Sequence, residues 1–170
     1  MEIELNLDEV RRMVDELLSR HQIEALAVCL LQSFINPDHE NKIRELIDTH
    51  YPGLFVSTSA SVLPYAREYE RWTSTVINAF TQPLVDRYLN NIEHGLKRRG
   101  LDGSLYIMTS SGGTVTPATA RRFPVRMLES GPAAGVLISA HHGRRLGIPD
   151  VLSFDMGGTT AKGAIVRSGE

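Results

Sequence analysis

Val151-Leu152-Ser153-Phe154-Asp155-Met156-Gly157-Gly158-Thr159-Thr160 is an apolar run that ends in one aspartate, two glycines and two threonines. A second alternating run, Ala161-Lys162-Gly163-Ala164-Ile165-Val166, follows it. The pattern predicts a strand, a glycine turn and a returning strand. Adjacent glycines let the backbone turn sharply and bring N–H groups close to an anion, because no Cβ stands in the way. Threonine hydroxyls add donors, and a carboxylate at a strand end can hold a hydrated Mg²⁺ or orient a water. The stretch therefore reads either as part of a nucleotide phosphate site or as an ordinary hairpin closed by Gly-Gly, and a bare D-x-G-G favours the hairpin.

Outside this stretch, composition sets broad bounds. The 170 residues are 42% hydrophobic and 22% charged, enough to bury a core in one domain or two small ones. A formal net charge of -2 gives no electrostatic case for nucleic acid or an anionic membrane, so neither is expected as a partner. Cys29 is the single cysteine, which excludes an internal disulfide and suits a reducing cytoplasm. It lies in the apolar run Ala25-Leu26-Ala27-Val28-Cys29-Leu30-Leu31, the setting of a buried structural thiol rather than of a nucleophile. That run is too short to cross a bilayer, and the start Met1-Glu2-Ile3-Glu4 is acidic and alternating, unlike a signal peptide.

Along the chain, Asn6 and Glu9 resemble a capping box, and Leu7, Val10, Val14, Leu17 and Leu18 repeat at helical spacing, so a helix is expected over roughly residues 7 to 20. Ala25 to Leu31 reads as a strand covered on both faces in a parallel sheet. Asn36-Pro37 offers an N-cap and a first-turn proline for a second helix, which should stop near Tyr51-Pro52-Gly53, and Leu54 to Thr58 reads as the next strand. From Arg67 to Gly95 no glycine intervenes and a long helical region is expected. Val76, Ile77, Ala79 and Phe80 suggest its apolar face, Pro83 should kink or divide it, and Lys97-Arg98-Arg99 suits a solvated C-terminus. The charges of Arg67-Glu68-Tyr69-Glu70-Arg71 read as helix-surface pairs.

Leu105 to Thr109 reads as a strand leading into Ser110-Ser111-Gly112-Gly113, either a ligand-flanking loop or a plain turn, the turn being favoured by spacing alone. Thr116-Pro117 starts another helix. Ser130-Gly131-Pro132-Ala133-Ala134-Gly135 clusters small residues at the beginning of a further one, permitting close approach to a neighbouring element or to a nucleotide. Neither His141-His142 nor Pro37-Asp38-His39-Glu40 has the spacing of a metal site.

The Gly-Gly turn is followed by a strand pattern and has no P-loop or Rossmann arrangement. Together the blocks Asn36-Pro37-Asp38-His39-Glu40, Leu63-Pro64 to Trp72 with its REYER core, Thr75-Val76-Ile77-Asn78-Ala79, Ser110-Ser111-Gly112-Gly113, Ser130 to Gly135 and Phe154 to Thr160 resemble the hydantoinase A / 5-oxoprolinase family. That family includes hydantoin-utilisation A subunits and acetone carboxylase β subunits, within the actin, hexokinase and Hsp70-like ATPase superfamily. The resemblance implies an α/β fold of ribonuclease H-like layers, incomplete here, with a long helical segment in the middle. It implies ATP and Mg²⁺ as cofactors, a cyclic amide or related carbonyl compound as substrate, activation by phosphorylation of a carbonyl-type oxygen, and a B-type subunit as partner. Gly157, Gly158, Thr159 and Thr160 would bind phosphate, and Asp155 would act through Mg²⁺-bound water or orient a nucleophile. Residues 1–62 would be the end of a first α/β region, 63–150 a helical and α/β segment, and 151–170 the first hairpin of a second lobe. A substrate role for Arg67, Glu70, Ser110 or Ser111 has no mechanism behind it, and Lys162 is left open.

Only one D-x-G-G-T turn is present, where the family has two, and the sequence stops at Glu170 just after the returning strand. The expectation is therefore a fragment carrying half a nucleotide site, inactive alone, with an exposed hairpin edge. The competing expectations are a non-catalytic interaction module or degenerate fragment, and an acetone carboxylase β-like carbonyl-activating subunit. A sugar-kinase-like protein sharing only the hairpin is a further reading, against which the REYER and SGPAAG blocks stand.

Overall fold

The computed structural model describes residues 4–169. The expectation drawn from the first residues thus lies almost wholly outside the described ones. The chain is α/β and divides into two compact units. One holds the described residues up to Leu101 together with Arg121–Val125, and the other Asp102–Ala120 with Arg126 onward.

In the first unit, α1 (Leu7–Arg20) starts where the Asn6 side chain accepts from the Asp8 and Glu9 amides, so the cap read from the sequence forms. β1 (Ala25–Val28) pairs in parallel with β2 (Phe55–Thr58), from Ala25 opposite Phe55 to Val28 opposite Thr58. Parallel neighbours need a crossover, which α2 (Asp38–His50) supplies. Asn36 caps α2 from one residue further out than expected, accepting from the Asp38 amide while Pro37 holds the N-cap position. Val28, Ile43, Ile47 and Val56 form the core on this side, with Leu26, Leu30, Tyr51 and Leu54 packed around them. The short α3 (Ser59–Val62) follows β2, and α4 (Glu68–Arg98) packs against both strands.

α4 narrows the sequence expectation in one respect and departs from it in another. It is one helix through the buried Pro83, so of the two expected outcomes, a kink or a division, division does not occur. Proline removes one backbone bond, and side chains on the turn around it supply anchors: Ser57 donates to Gln82, and Asn78 donates to Ser57 and to the Arg122 carbonyl. The departure is its polarity. The buried face is Arg71, Thr75, Asn78, Ala79, Gln82, Pro83 and Leu89; of the expected apolar face Val76, Ile77, Ala79 and Phe80, only Ala79 is buried, and the other three are 55%, 37% and 80% exposed. A polar stripe faces β1 and β2, where Ser57 offers hydrogen-bond partners to Asn78 and Gln82, and that pattern is invisible to hydrophobic periodicity. Arg121 ties residues 121–125 to α4 through Asp86 and Glu93, and its hydrogen bond holds the Glu93 carboxyl below the usual range.

In the second unit, β3 (Ile107–Met108) pairs antiparallel with β4 (Thr114–Val115), a shorter ladder than Leu105 to Thr109 suggested. α5 (Pro117–Arg122) begins after Thr116, whose hydroxyl accepts from the Thr119 amide. α6 (Ser130–Leu146) packs on the hairpin of β5 (Val151–Met156) and β6 (Ala161–Val166). The close approach that small residues allow falls at Gly143, where a Cβ would stand 2.6 Å from Val151 Cγ2 and 2.9 Å from the Ile148 carbonyl oxygen; at Gly131 and Gly135 nothing lies within 4 Å. On the hairpin face away from α6, Leu152, Phe154, Met156 and Ile165 are all more than half exposed. Among the described residues no helix is long and apolar enough to cross a membrane.

Candidate functional site

The hairpin gathers the residues expected to bind phosphate into one turn. β5 and β6 run in register from Val151 opposite Val166 to Met156 opposite Ala161, and the Gly157 amide closes the turn on the Thr160 carbonyl at 3.0 Å. Gly157, Gly158, Thr159 and Thr160 are exposed at its tip. Neither glycine adopts a left-handed φ, and a Cβ on either would meet no heavy atom within 4 Å. The fold of this unit thus does not require glycine at these positions, and the space above the backbone is open to an approaching group. The hydroxyls of Thr159 and Thr160 make no hydrogen bond among the described residues.

Asp155 lies two residues before Gly157, exposed and opposite Lys162. Strand alternation places both on the hairpin face that packs on α6. Lys162 is not paired with Asp155: its ammonium donates to Glu129, the residue preceding α6. The Asp155 carboxylate has no ion pair or hydrogen bond among the described residues. A single unpaired carboxylate beside free backbone and hydroxyl donors is a donor set that fits hydrated Mg²⁺ carried by a polyphosphate, since Mg²⁺ keeps most of its waters and takes one or two protein carboxylates plus phosphate oxygens.

The Ser110-Ser111-Gly112-Gly113 segment is a hairpin turn whose hydroxyls are used internally. Thr109 donates to the Gly113 carbonyl and accepts from Ser111. Ser110 donates its amide to the Arg126 carbonyl and its hydroxyl to the carbonyls of Arg126 and Leu128. Gly112 sits at φ 85° with Leu137 3.1 Å from where a Cβ would be, so here glycine is structural.

A second polar cluster lies in the first unit, and one of its members, Arg71, was read from the sequence as a helix-surface charge and is buried. Glu40 is fully buried and accepts from the Leu30 amide at 2.8 Å, the Ser59 hydroxyl at 2.6 Å and the Ala60 amide at 2.8 Å. Ser33 in turn donates to Ser59 at 3.0 Å. Arg71 is also fully buried, donating to the Leu30 carbonyl and to Glu68 and lying 5.3 Å from the Phe34 ring. Its Nε and Nη1 are without partners among the described residues. Of the REYER charges, only Arg67 and Glu70 form the expected exposed pair. Cys29 sits beside this cluster. It is half-buried rather than buried as the sequence suggested, yet burial, and then the Glu40 charge, push its thiol up to about 11, so it is protonated at neutral pH.

Comparison with known proteins assigns the chain. The Hydantoinase/oxoprolinase family matches residues 71–170, and the Hydantoinase/oxoprolinase N-terminal region matches residues 1–51. The chain belongs to the hydantoinase/oxoprolinase family. Within it, the chain is 31% identical over 139 residues to the caprolactamase subunit alpha of Pseudomonas jessenii, covering 82% of this chain and 20% of that one. The crystal structure of ATP-dependent caprolactamase from the same organism superposes with a TM-score of 0.84 at 28% identity, over 95% of this chain and 23% of that one. The 5-oxoprolinase of Saccharomyces cerevisiae is 33% identical over 88% of this chain and 11% of its own length. Nucleotide-free acetone carboxylase, studied for ATP-dependent acetone carboxylation, gives a TM-score of 0.81 at 27% identity over 99% of this chain and 24% of that one. The chain thus spans less than a quarter of the length of these relatives.

Proposed function

We propose that this chain is part of a subunit of an ATP-dependent enzyme that activates the carbonyl group of a cyclic amide for hydrolysis, and that the 157–160 turn contributes one side of its phosphate site. The observation that carries this reading is the open turn itself: two glycines that the fold does not need, two unpartnered threonine hydroxyls and an unpaired Asp155 converge at one hairpin tip. Family membership and the ATP-dependent caprolactamase and acetone carboxylase structures support it.

In this reading the hairpin opens the second lobe of an actin-like, ribonuclease H-like ATPase, after regions divided near residues 62 and 150. The Gly158 amide and the hydroxyls of Thr159 and Thr160 hold the β- or γ-phosphate and stabilise charge on the transferring group, while the Gly157 amide closes the turn on the Thr160 carbonyl. Asp155 would hold Mg²⁺ through its water shell; the ion supplies charge neutralisation on the phosphates. The γ-phosphoryl group passes from ATP to the carbonyl-type oxygen, releasing ADP. Water then adds to the activated carbon, the ring C–N bond opens, and phosphate leaves. Phosphoryl transfer depends on positioning from both sides of the nucleotide, so the present chain alone is expected to bind phosphate weakly and not to turn ATP over. A B-type subunit as partner fits the subunit organisation named for the caprolactamase relative.

The test is ATP hydrolysis by the assembled protein containing this chain, screened against lactams, hydantoins, 5-oxoproline and simple ketones. Stimulation by a cyclic amide is the expected result. Stimulation by ketones alone would move the assignment to carboxylase-type carbonyl activation, and stimulation by none of them overturns the reaction class.

A further inference from the structure

We propose that Lys162 is a switchable phosphate ligand, parked on Glu129 when the turn is empty and transferred to the anion when the turn is filled; this rests on the phosphate-site reading of residues 157–160. The first observation is placement. Lys162 lies on the rung next to the one that ends at the turn, about 7 Å of strand beyond Thr160 at roughly 3.4 Å per residue. Its flexible stem spans that gap, so the ammonium has the Glu129 carboxylate on one side and the turn on the other. The two side chains are 39% and 66% exposed. An ion pair that open to water is worth little and exchanges readily, unlike a buried one.

The second observation is what has been arranged to put Glu129 there. Its backbone is left-handed, at φ 64° and ψ 19°, a region that favours glycine or asparagine, and its side chain does not cap α6. The segment leading to it is held by Ser110, whose amide and hydroxyl bind the Arg126 and Leu128 carbonyls. This assigns Ser110 a positioning role through Glu129. The consequence lies at Asp155. As the cross-strand neighbour of Lys162, Asp155 would be neutralised by an ammonium with no other partner. Parking the ammonium on Glu129 keeps Asp155 unpaired and ready for a hydrated cation. An arriving polyphosphate, with more charge than one carboxylate, then draws Lys162 to itself.

The experiment is a titration of the full chain with sodium tripolyphosphate, without metal, followed by the backbone amide signals of Gly157, Gly158 and Thr159. Lys162→Met should weaken binding roughly tenfold, the size of one charge-assisted hydrogen bond. Glu129→Gln should tighten it about threefold, the worth of an exposed pair. In the Lys162→Met background Glu129→Gln should do nothing, which separates release of Lys162 from the mere loss of a nearby negative charge. Lys162→Arg, which retains the charge if the methionine variant disturbs the hairpin, should bind within about threefold of the native chain. Equal tightening by Glu129→Gln in both backgrounds, or an unchanged affinity of Lys162→Met with the amides still shifting, overturns the switch and leaves the phosphate reading standing. Turn amides that do not respond in any variant overturn the phosphate reading, and the switch with it.

Discussion

The two polar clusters of this chain treat charge in opposite ways. Glu40 lies in the first unit at no exposure, with three donors from Leu30, Ser59 and Ala60 aimed at its carboxylate. Asp155 lies in the second unit, exposed and without a partner among the described residues. Satisfied internally, the first carboxylate is a structural joint between α2, the end of β1 and the start of α3. Unsatisfied and open, the second is available to something the chain does not itself supply. A family motif therefore does not reveal by its charge alone whether it binds or holds; the partners of each atom decide it.

The largest effect expected from this contrast is on stability. Glu40→Ala strands buried donors on two amides and a hydroxyl, each costing about 1–3 kcal/mol, so unfolding in urea should show a loss of about 3–5 kcal/mol. A loss below about 1 kcal/mol would dissolve the distinction between the clusters. Next in size, under the proposed phosphate-site reading, is Asp155→Ala, read on the assembled protein that contains this chain. Turnover of ATP should fall about 10²-fold or more, as for removal of a group acting on transition-state charge, while the unfolding free energy of the chain in urea changes by less than about 0.5 kcal/mol. A matching loss of stability would place Asp155 with Glu40.

Cys29 reports on the same joint through pH. Its thiol is raised from its ordinary 9.0 to about 11 by burial and by Glu40. Below pH 9 the thiol is protonated folded and unfolded, so it makes no difference to stability with pH. Between 9 and about 11 the unfolded chain loses the proton first, so stability falls as pH rises through that window. Alkylation of the folded chain at pH 8 should be slow compared with the unfolded chain. In Glu40→Gln the onset of reactivity should move to lower pH, because one of the causes of the shift is removed. An unmoved onset would mean that burial alone protects the thiol.

Much of the scaffold was legible because local chemistry carried it. Asn6 caps α1, the apolar run at Ala25 forms a strand of a parallel pair, and the Gly-Gly turn joins β5 to β6, each following from residues close in sequence. The turn from Asp155 to Thr160 was legible for the same reason, since a turn is local; its role toward phosphate is a proposal. Glu129 with Lys162, and Glu40 with Ser59, join residues far apart in the chain, and no spacing rule reports such pairs. Arg71 was misread because charges at i and i+3 look alike on a solvated helix face and on one buried beneath a loop. In α4 the error ran further: hydrophobic periodicity ranked its apolar face as the inner one, and hydrogen bonds to Ser57 on β2 selected the polar face.

That reversal has the smallest expected effect and the sharpest test. Phe80 is 80% exposed in the structure, flanked by Val76 at 55% and Leu84 at 63% on the same helical stripe. Were the sequence reading right, Phe80 would be a core side chain, and truncating it would cost about 3–5 kcal/mol. With the polar face inward, Phe80→Ser removes an exposed side chain, and the unfolding free energy in urea should change by no more than about 0.5 kcal/mol. Asn78→Leu runs the comparison the other way. It places an apolar group on the buried face, deletes the donations to Ser57 and the Arg122 carbonyl and the acceptance from the Val125 amide, and should destabilise by about 1–3 kcal/mol despite raising the hydrophobicity of the helix. If Phe80→Ser is the more costly of the two, the apolar stripe is the core face after all and the orientation of α4 on β1 and β2 is wrong.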